Sequence, residues 1–158
     1  MGHQLTKQDI ERMEKEIEHR KLVERPKLIE AVKEAREHGD LSENFEYYAA
    51  KREKNRNESR IRYLDRIIRT AEIIEDTSAE NEVGIGDTVD IYYEDEQETE
   101  TICLVTTMGA DSLNHMVSIE SPIGKAIRGK KEGDRVMVEV GKDTFFPIQI
   151  KRINKKDK

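Results

Sequence analysis

The hydrophobic pattern of this chain changes its period once, and that change sets the limits on its fold. From Leu5 to about Asp76, apolar residues recur at three- and four-residue spacing, as on one face of an α-helix. After Gly84 they alternate with polar residues, as in half-buried strands. We therefore predict an α+β protein with a helical domain at residues 1–76, a polar linker at 77–82 and a small β-rich domain at 83–158.

Composition favours two thin modules over one thick core, because only 35% of the residues are hydrophobic and 39% are charged. The formal net charge of -6 argues against a general nucleic-acid coat but permits a local basic patch. Cys103 is the only cysteine, so no disulfide framework is expected. No apolar leader follows Met1, and no apolar run reaches membrane-spanning length. These features predict a soluble, cytoplasmic protein.

The helical half is predicted to be a hairpin of two long arms. Thr6 can cap the first helix, with Asp9 in the capping-box position three residues on. Pro26 is predicted to begin a second helical segment rather than to bend one, since proline suits a first helical turn. Gly39 is predicted to end that segment. A return helix from about Ser42 to Glu75 then completes an antiparallel coiled-coil hairpin.

The second half contains five short segments with strand-like alternation, separated by turn residues at 94–96 and 141–143. The predicted strands cover residues 88–92, 101–105, 115–119, 135–140 and 145–150. One short helix is predicted from Pro122 to Arg128. The simplest arrangement of these elements is a small antiparallel sheet with a helix packed on it.

Two carboxylates, Asp40 and Glu43, lie three residues apart beside the break at Gly39. One interpretation is structural, because an N-cap aspartate followed three residues later by glutamate is close to a capping box. The other is chemical, because paired carboxylate oxygens at the end of a hairpin can serve as ligands for Mg²⁺. Two carboxylates alone would hold Mg²⁺ weakly, so a partner would have to supply further ligands.

The return helix concentrates positive charge in an acidic protein. Residues 51–69 contain eight basic side chains against three acidic ones. These bases could pair with glutamates of the first helix, or they could meet phosphates. Three aromatic residues near the turn, Phe45, Tyr47 and Tyr48, could clamp the end of the hairpin or stack on a nucleobase.

Two blocks of the sequence resemble the bacterial Gre transcript-cleavage factors, and the GreA branch more than the GreB branch. The first block is Arg25-Pro26, the run Ala35-Arg36-Glu37-His38-Gly39-Asp40-Leu41-Ser42-Glu43-Asn44, Glu46-Tyr47 and Ala49-Ala50. The second block is Ser121-Pro122-Ile123-Gly124-Lys125-Ala126-Ile127 with Gly129-Lys130-Lys131-Glu132-Gly133-Asp134. One departure is Asn57-Glu58-Ser59-Arg60, where the family often has a glycine before the arginine.

The resemblance implies a role as an accessory factor that is not itself an enzyme. The hairpin would enter the secondary channel of bacterial RNA polymerase, where Asp40 and Glu43 would help to hold a second Mg²⁺ jointly with the polymerase. Backtracked nascent RNA would then be cleaved near its 3′ end. An intact Gly-Asp-Leu-Ser-Glu-Asn run favours this function over the alternative, a channel-binding regulator that inhibits or modulates without cleavage.

The resemblance implies the contacts expected with the polymerase, while the basic stretch of the return helix indicates those expected with RNA. The C-terminal domain would be FK506-binding-protein-like and would dock on the polymerase through Ser121, Pro122 and Ile123. Near the turn, the RNA would meet Arg52, Arg56 and Tyr47. The factor is expected to act as a monomer and to have no membrane partner. A plain coiled-coil scaffold would not explain both matching blocks.

Overall fold

The computed structural model describes residues 2–39 and 44–156, and they form two compact units. The first unit is made mainly of residues 7–72, and the second of residues 73–156 joined by residues 4–6. Residues 77–82, which the sequence predicts to be a linker, group with the second unit. In the described part of the chain, no helix is both long enough and apolar enough to cross a membrane. The predicted α+β class is confirmed.

The first arm of the hairpin is one continuous helical path. It consists of helix α1 (Lys7–His19), a π-helical turn (Arg20–Glu24) and helix α2 (Arg25–Arg36). Pro26 lies in the first turn of α2, as predicted, but the π-helical turn joins α2 to α1 without a break in the helical path. The backbone stays helical through Glu24 and Arg25, and the Arg25 N–H donates to the carbonyl of Arg20, five residues earlier. This wider turn precedes Pro26, which has no N–H to continue the regular pattern.

The return arm is helix α3 (Phe45–Thr70), which begins and ends inside the predicted range of 42–75. Its 26 residues span roughly 39 Å. The backbone becomes extended at Ala71, and residues Glu72–Ile73 form strand β2, which pairs with strand β1 (Gln4–Leu5). Glu16 of the first arm contacts Arg60 of the return arm, whereas Ala35, later in the first arm, contacts Asn44, which is earlier in the chain than Arg60. The two arms are therefore antiparallel.

The second unit is a five-stranded sheet in the order β5-β4-β3-β7-β6. The strands are β3 (Thr88–Tyr93), β4 (Glu98–Val105), β5 (Met116–Ser118), β6 (Arg135–Gly141) and β7 (Thr144–Asn154). All five predicted strands are confirmed, but the prediction of a wholly antiparallel sheet is wrong, since β5 pairs parallel to β4. The connection at 106–115, which contains two short 3-10 turns, is long enough for the chain to turn back and enter β5 in the same direction as β4.

The sheet and the short helix α4 (Pro122–Ile127) enclose the larger core. Ten apolar side chains are buried there, among them Ile91, Leu104, Ile127 and Ile148. Gly124 lets α4 lie against the chain at Ser118, because a Cβ on Gly124 would be 1.9 Å from the Ser118 carbonyl oxygen. The predicted helix is confirmed, and its close packing explains why position 124 is a glycine.

Candidate functional site

The end of the hairpin is defined by the residues on either side of its turn. Asp40 and Glu43, the predicted metal ligands, lie outside the described residues. Before the turn, the N–H of Glu37 bonds to carbonyls of the last helical turn, and Gly39 has a φ of +124°. Glycine adopts this conformation without strain, which agrees with the predicted end of the first arm at Gly39.

Asn44 is the N-cap of α3 and also links the two arms. Its backbone is extended, and its side-chain oxygen accepts a hydrogen bond of 3.0 Å from the N–H of Tyr47. Its side-chain nitrogen donates to the carbonyl of Ala35 in α2. The interpretation that Asp40 caps the return helix is therefore wrong. The N-cap of α3 is Asn44, and the metal role of Asp40 and Glu43 stays a prediction.

The three aromatic residues of the first turn of α3 have different surroundings. The ring of Tyr47 has the Arg36 guanidinium 5.6 Å and the Lys51 ammonium 6.0 Å from its centroid. A hydrogen bond from Arg36, followed by the charge of Lys51, holds the pKa of the Tyr47 hydroxyl below its ordinary value. Tyr47 thus joins α2 to α3. Phe45 and Tyr48, in contrast, are 85% and 42% exposed.

Some basic side chains of α3 form ion pairs with the first arm, and others remain exposed to solvent. Arg60 donates to Glu16 of the first arm, at 3.0 Å, as the pairing interpretation predicts. This bond, with a further one from Arg20, holds the pKa of Glu16 below its ordinary value. Arg56 instead pairs at 2.9 Å with Glu53 of its own helix, and both remain largely exposed. Cross-arm pairing is thus real at Arg60 and does not extend to Arg56.

Arg52 and Arg56 border an open groove of about 620 Å³ along α3. The other lining residues are Asn55, Ser59, Arg60 and Tyr63. Within the described chain, Arg52 has no carboxylate partner. The two arginines predicted to contact RNA therefore lie on the same exposed surface, close to the turn.

A buried polar contact at the middle of the hairpin was not predicted. Asn57 is 3% exposed, accepts a bond from the Arg20 guanidinium at 3.0 Å, and donates to the Arg20 carbonyl at 3.1 Å. This carbonyl belongs to the π-helical turn. The available signal was spacing, because Asn57 lies four residues before the buried Ile61 on the apolar stripe of α3.

The three predicted docking residues lie at the start of α4, with different roles. Ser121 is the N-cap: its hydroxyl accepts from the Gly124 N–H and donates to the Ser118 carbonyl. Ile123 packs against the core. Pro122 alone of the three is exposed, beside a groove of about 600 Å³ whose wall includes the half-exposed Met137 and Val140. Pro122 is therefore the best candidate of the three for an apolar contact.

Within residues 2–39 and 44–156, no group of three or more histidine, cysteine, aspartate or glutamate side chains is placed to hold a metal ion. The predicted ligands Asp40 and Glu43 are outside those ranges, so the metal role stays a prediction. Oxygen ligands of this type match the preference of Mg²⁺, but two carboxylates fill only part of its octahedral shell.

Comparison with known proteins agrees with the arrangement of a helical hairpin before a sheet domain. Residues 3–73 match the family described as "Transcription elongation factor, N-terminal", and residues 78–155 match "Transcription elongation factor, GreA/GreB, C-term". These two matches define the class as transcription elongation factors. The chain belongs to the GreA/GreB family.

Individual relatives are similar over nearly the whole chain. The chain is 45% identical to transcription elongation factor GreA of Streptococcus gordonii over 152 residues, which cover 96% of this chain and 94% of the relative. Identity with GreA of Streptococcus pneumoniae strain D39 is 44% with the same coverage. Among solved structures, transcription factor Gfh1 is 27% identical, with 97% of each chain covered and a TM-score of 0.48.

Proposed function

We propose that this chain inserts its helical hairpin into the secondary channel of bacterial RNA polymerase and stimulates Mg²⁺-dependent cleavage of backtracked RNA. The observation that supports this most directly is the N-cap of α3. Asn44, which directly follows the two acids in sequence, caps α3 and bonds to Ala35 of α2. The cap of α3 is therefore supplied by a residue other than Asp40 or Glu43, which favours the chemical interpretation of the two acids over the capping one.

Asp40 and Glu43 would act by supplying oxygen ligands to a magnesium ion that the polymerase also holds. A second Mg²⁺ can activate water and offset charge on the leaving oxygen. The chain itself needs only to deliver and orient its carboxylates, for which the bond from Asn44 to Ala35 holds the base of the turn. The isolated chain is therefore expected to cleave no RNA.

The tip acids can be tested with Asp40→Asn combined with Glu43→Gln, assayed on stalled bacterial polymerase complexes with Mg²⁺. We expect cleavage stimulation to be abolished, because Mg²⁺ is bound through carboxylates and the neutral side chains remove both of them. The melting temperature should stay the same, since Asn44 caps α3. Glu34→Gln, an exposed change in α2, is the matched control.

Normal cleavage by the double variant would contradict the metal role. If the unaltered chain binds the polymerase without stimulating cleavage, the alternative of a channel-binding regulator is supported instead.

Docking can be measured separately with Pro122→Asp, a substitution that α4 should tolerate because aspartate suits the first turn of a helix. We expect about 30-fold weaker polymerase binding with α4 intact, as for loss of an interface anchor.

The exposed arginines Arg52 and Arg56 would contact RNA phosphates. Each such contact contributes about 0.7 to the slope of log affinity against log salt for a single strand. Replacing both with glutamine should therefore reduce the salt dependence of cleavage by roughly 1.4 on that scale. An unchanged slope would exclude the phosphate contact. Arg69→Gln, which alters an exposed arginine at the other end of α3, serves as the control.

A further inference from the structure

We propose that Phe45 and Tyr48 form a stacking platform for the bases of single-stranded RNA, an inference that rests on the proposed function. The two rings lie three residues apart in the first turn of α3, and residues at this spacing share one side of a helix. The platform is defined as these two side chains. It acts by positioning RNA and does not touch the reacting atoms.

The exposure of the two rings argues against a purely structural role. Phe45 is 85% exposed, so its ring contributes little to the packing of the hairpin. Tyr48 is 42% exposed and makes an edge contact with Tyr47, with centroids 5.4 Å apart and planes at 65°. The contact steadies Tyr48 while leaving much of its ring accessible. Tyr47 already joins the two arms through Arg36, so the hairpin does not require the other rings for that purpose.

Tyr47 was the aromatic residue predicted to contact RNA, and its surroundings make it the weaker candidate. Its ring has cationic groups from Arg36 and Lys51 within 6.0 Å of the centroid. A base would have to displace these cations to reach it. Phe45 carries no polar group that needs a partner, and its ring can accept a base without breaking an existing contact.

The charges around the platform favour a polyanion as its occupant. Exposed Lys51 and Arg52 follow the rings directly, and Arg52 lies one turn beyond Tyr48 on the same side of the helix. Arg52 also begins the groove that continues to Tyr63. Aromatic rings beside a basic groove are the usual means of binding single strands without base specificity. An apolar protein surface would gain from the rings but not from the adjacent cations.

The distances suit neighbouring nucleotides of one strand. Arg52 lies seven residues after Phe45, which is roughly 10 Å along the helix axis. Stacking on the rings and a phosphate contact at Arg52 can therefore involve the same short stretch of RNA. By restraining the bases next to the tip acids, the platform would reduce the motion of the RNA during cleavage.

The direct test measures binding of the full chain to a short single-stranded RNA by fluorescence anisotropy at low salt. Phe45→Leu with Tyr48→Leu keeps apolar bulk and helix propensity but removes the rings. We expect about tenfold weaker binding, within the range that base–aromatic stacking commonly contributes. Phe45→Tyr retains a ring and should bind like the unaltered chain. An RNA with abasic nucleotides should abolish the difference between the leucine variant and the unaltered chain.

Equal RNA affinity of the leucine variant and the unaltered chain would overturn the platform. A loss that persists with abasic RNA would also overturn it, because the rings would then not contact bases. The cleavage assay on stalled polymerase separates this inference from the proposed function. If Asp40→Asn with Glu43→Gln cleaves normally while the leucine variant binds RNA weakly, the proposed function fails and the platform stands.

Discussion

The two units of this protein are stabilised in different ways. In the sheet unit, ten buried apolar side chains form one core between the strands and α4. In the described part of the hairpin, five are buried: Met13, Ala35, Ile61, Leu64 and Ile67. Three of these five lie in α3 between residues 61 and 67. The half of the hairpin nearer the turn consequently has little apolar burial.

Polar contacts join the two arms at the middle of the hairpin and, through Asn44 and Ala35, beside its turn. Arg25 makes two bonds to Glu58, at 2.8 and 2.9 Å, and Asn57 bonds to Arg20. Such contacts add less free energy than a core but demand specific partners and distances. The comparison teaches that the end carrying the candidate site is positioned by directional bonds, while the sheet unit draws its stability from burial.

The largest expected effect is the loss of core volume in the sheet unit. Ile91 is fully buried in β3, a strand with neighbours on both sides. Ile91→Ala should reduce the free energy of unfolding by about 2–5 kcal/mol through lost burial and a cavity. Hydrogen exchange should accelerate in β3, β4 and β7. Equally faster exchange throughout α1–α3 would mean that the two units unfold together, which would break the comparison.

The next largest effect is expected at a buried charge. Asp87 is 1% exposed and accepts a 2.6 Å bond from the Lys155 ammonium, which also donates to the carbonyl of Glu82. Lys155→Met should destabilise the sheet unit by about 2 kcal/mol or more, because it leaves the buried carboxylate without its cation. The exposed Lys156→Met is the control. Equal urea midpoints for the two variants would show that burial alone stabilises this unit.

A smaller effect is expected in the hairpin at Asn57. Asn57→Ala removes both bonds to Arg20, including the one to a carbonyl of the π-helical turn. We expect about 1–3 kcal/mol of destabilisation from the loss of two hydrogen bonds, each typically contributing about 0.5–1.5 kcal/mol. Exchange should accelerate mainly in residues 20–36 and 45–57. The exposed Asn55→Ala should have no such effect, and an unchanged Asn57→Ala hairpin would argue against positioning by directional bonds.

The smallest expected effect depends on pH. The bond from Arg60, with that from Arg20, lowers the pKa of Glu16 in the folded state below its ordinary value of 4.5. The stabilisation is therefore present above about pH 4.5 and is lost as the pH falls through the lower, folded value. Glu16→Gln should remove less than about 1 kcal/mol at neutral pH, and progressively less as the pH falls below about 4.5. A pH-independent difference in urea midpoint would point to packing instead of charge.

Local sequence patterns predicted most of the elements correctly. Alternation located all five strands of the sheet, and turn residues located the hairpin loops near Glu94 and Gly141. Gly39 was correctly expected to end the first arm, and the motif around Pro122 to begin a helix. These features depend on neighbours a few residues apart, so they can be read without knowing the rest of the fold.

The predictions that failed depend on distant contacts. The position of Pro26 in the sequence did not indicate the π-helical turn that precedes it. The Arg20 carbonyl in this turn accepts a bond from Asn57, 37 residues later, and no local pattern shows that contact. Alternation did not reveal that β5 runs parallel to β4, because a strand has the same period in either direction. The spacing of Asp40 and Glu43 matched a capping box, yet Asn44 caps the helix.

The sequence by itself determined the class of the protein: two modules, a hairpin with acids at its turn, and membership of the GreA/GreB family. The tertiary structure decided which side chains contact the opposite arm of the hairpin and which remain exposed to solvent. It places Tyr47 against Arg36 and leaves Phe45 exposed, although the two lie in the same helical turn. The physical reason is that exposure depends on the opposite arm of the hairpin, which no local pattern of α3 contains.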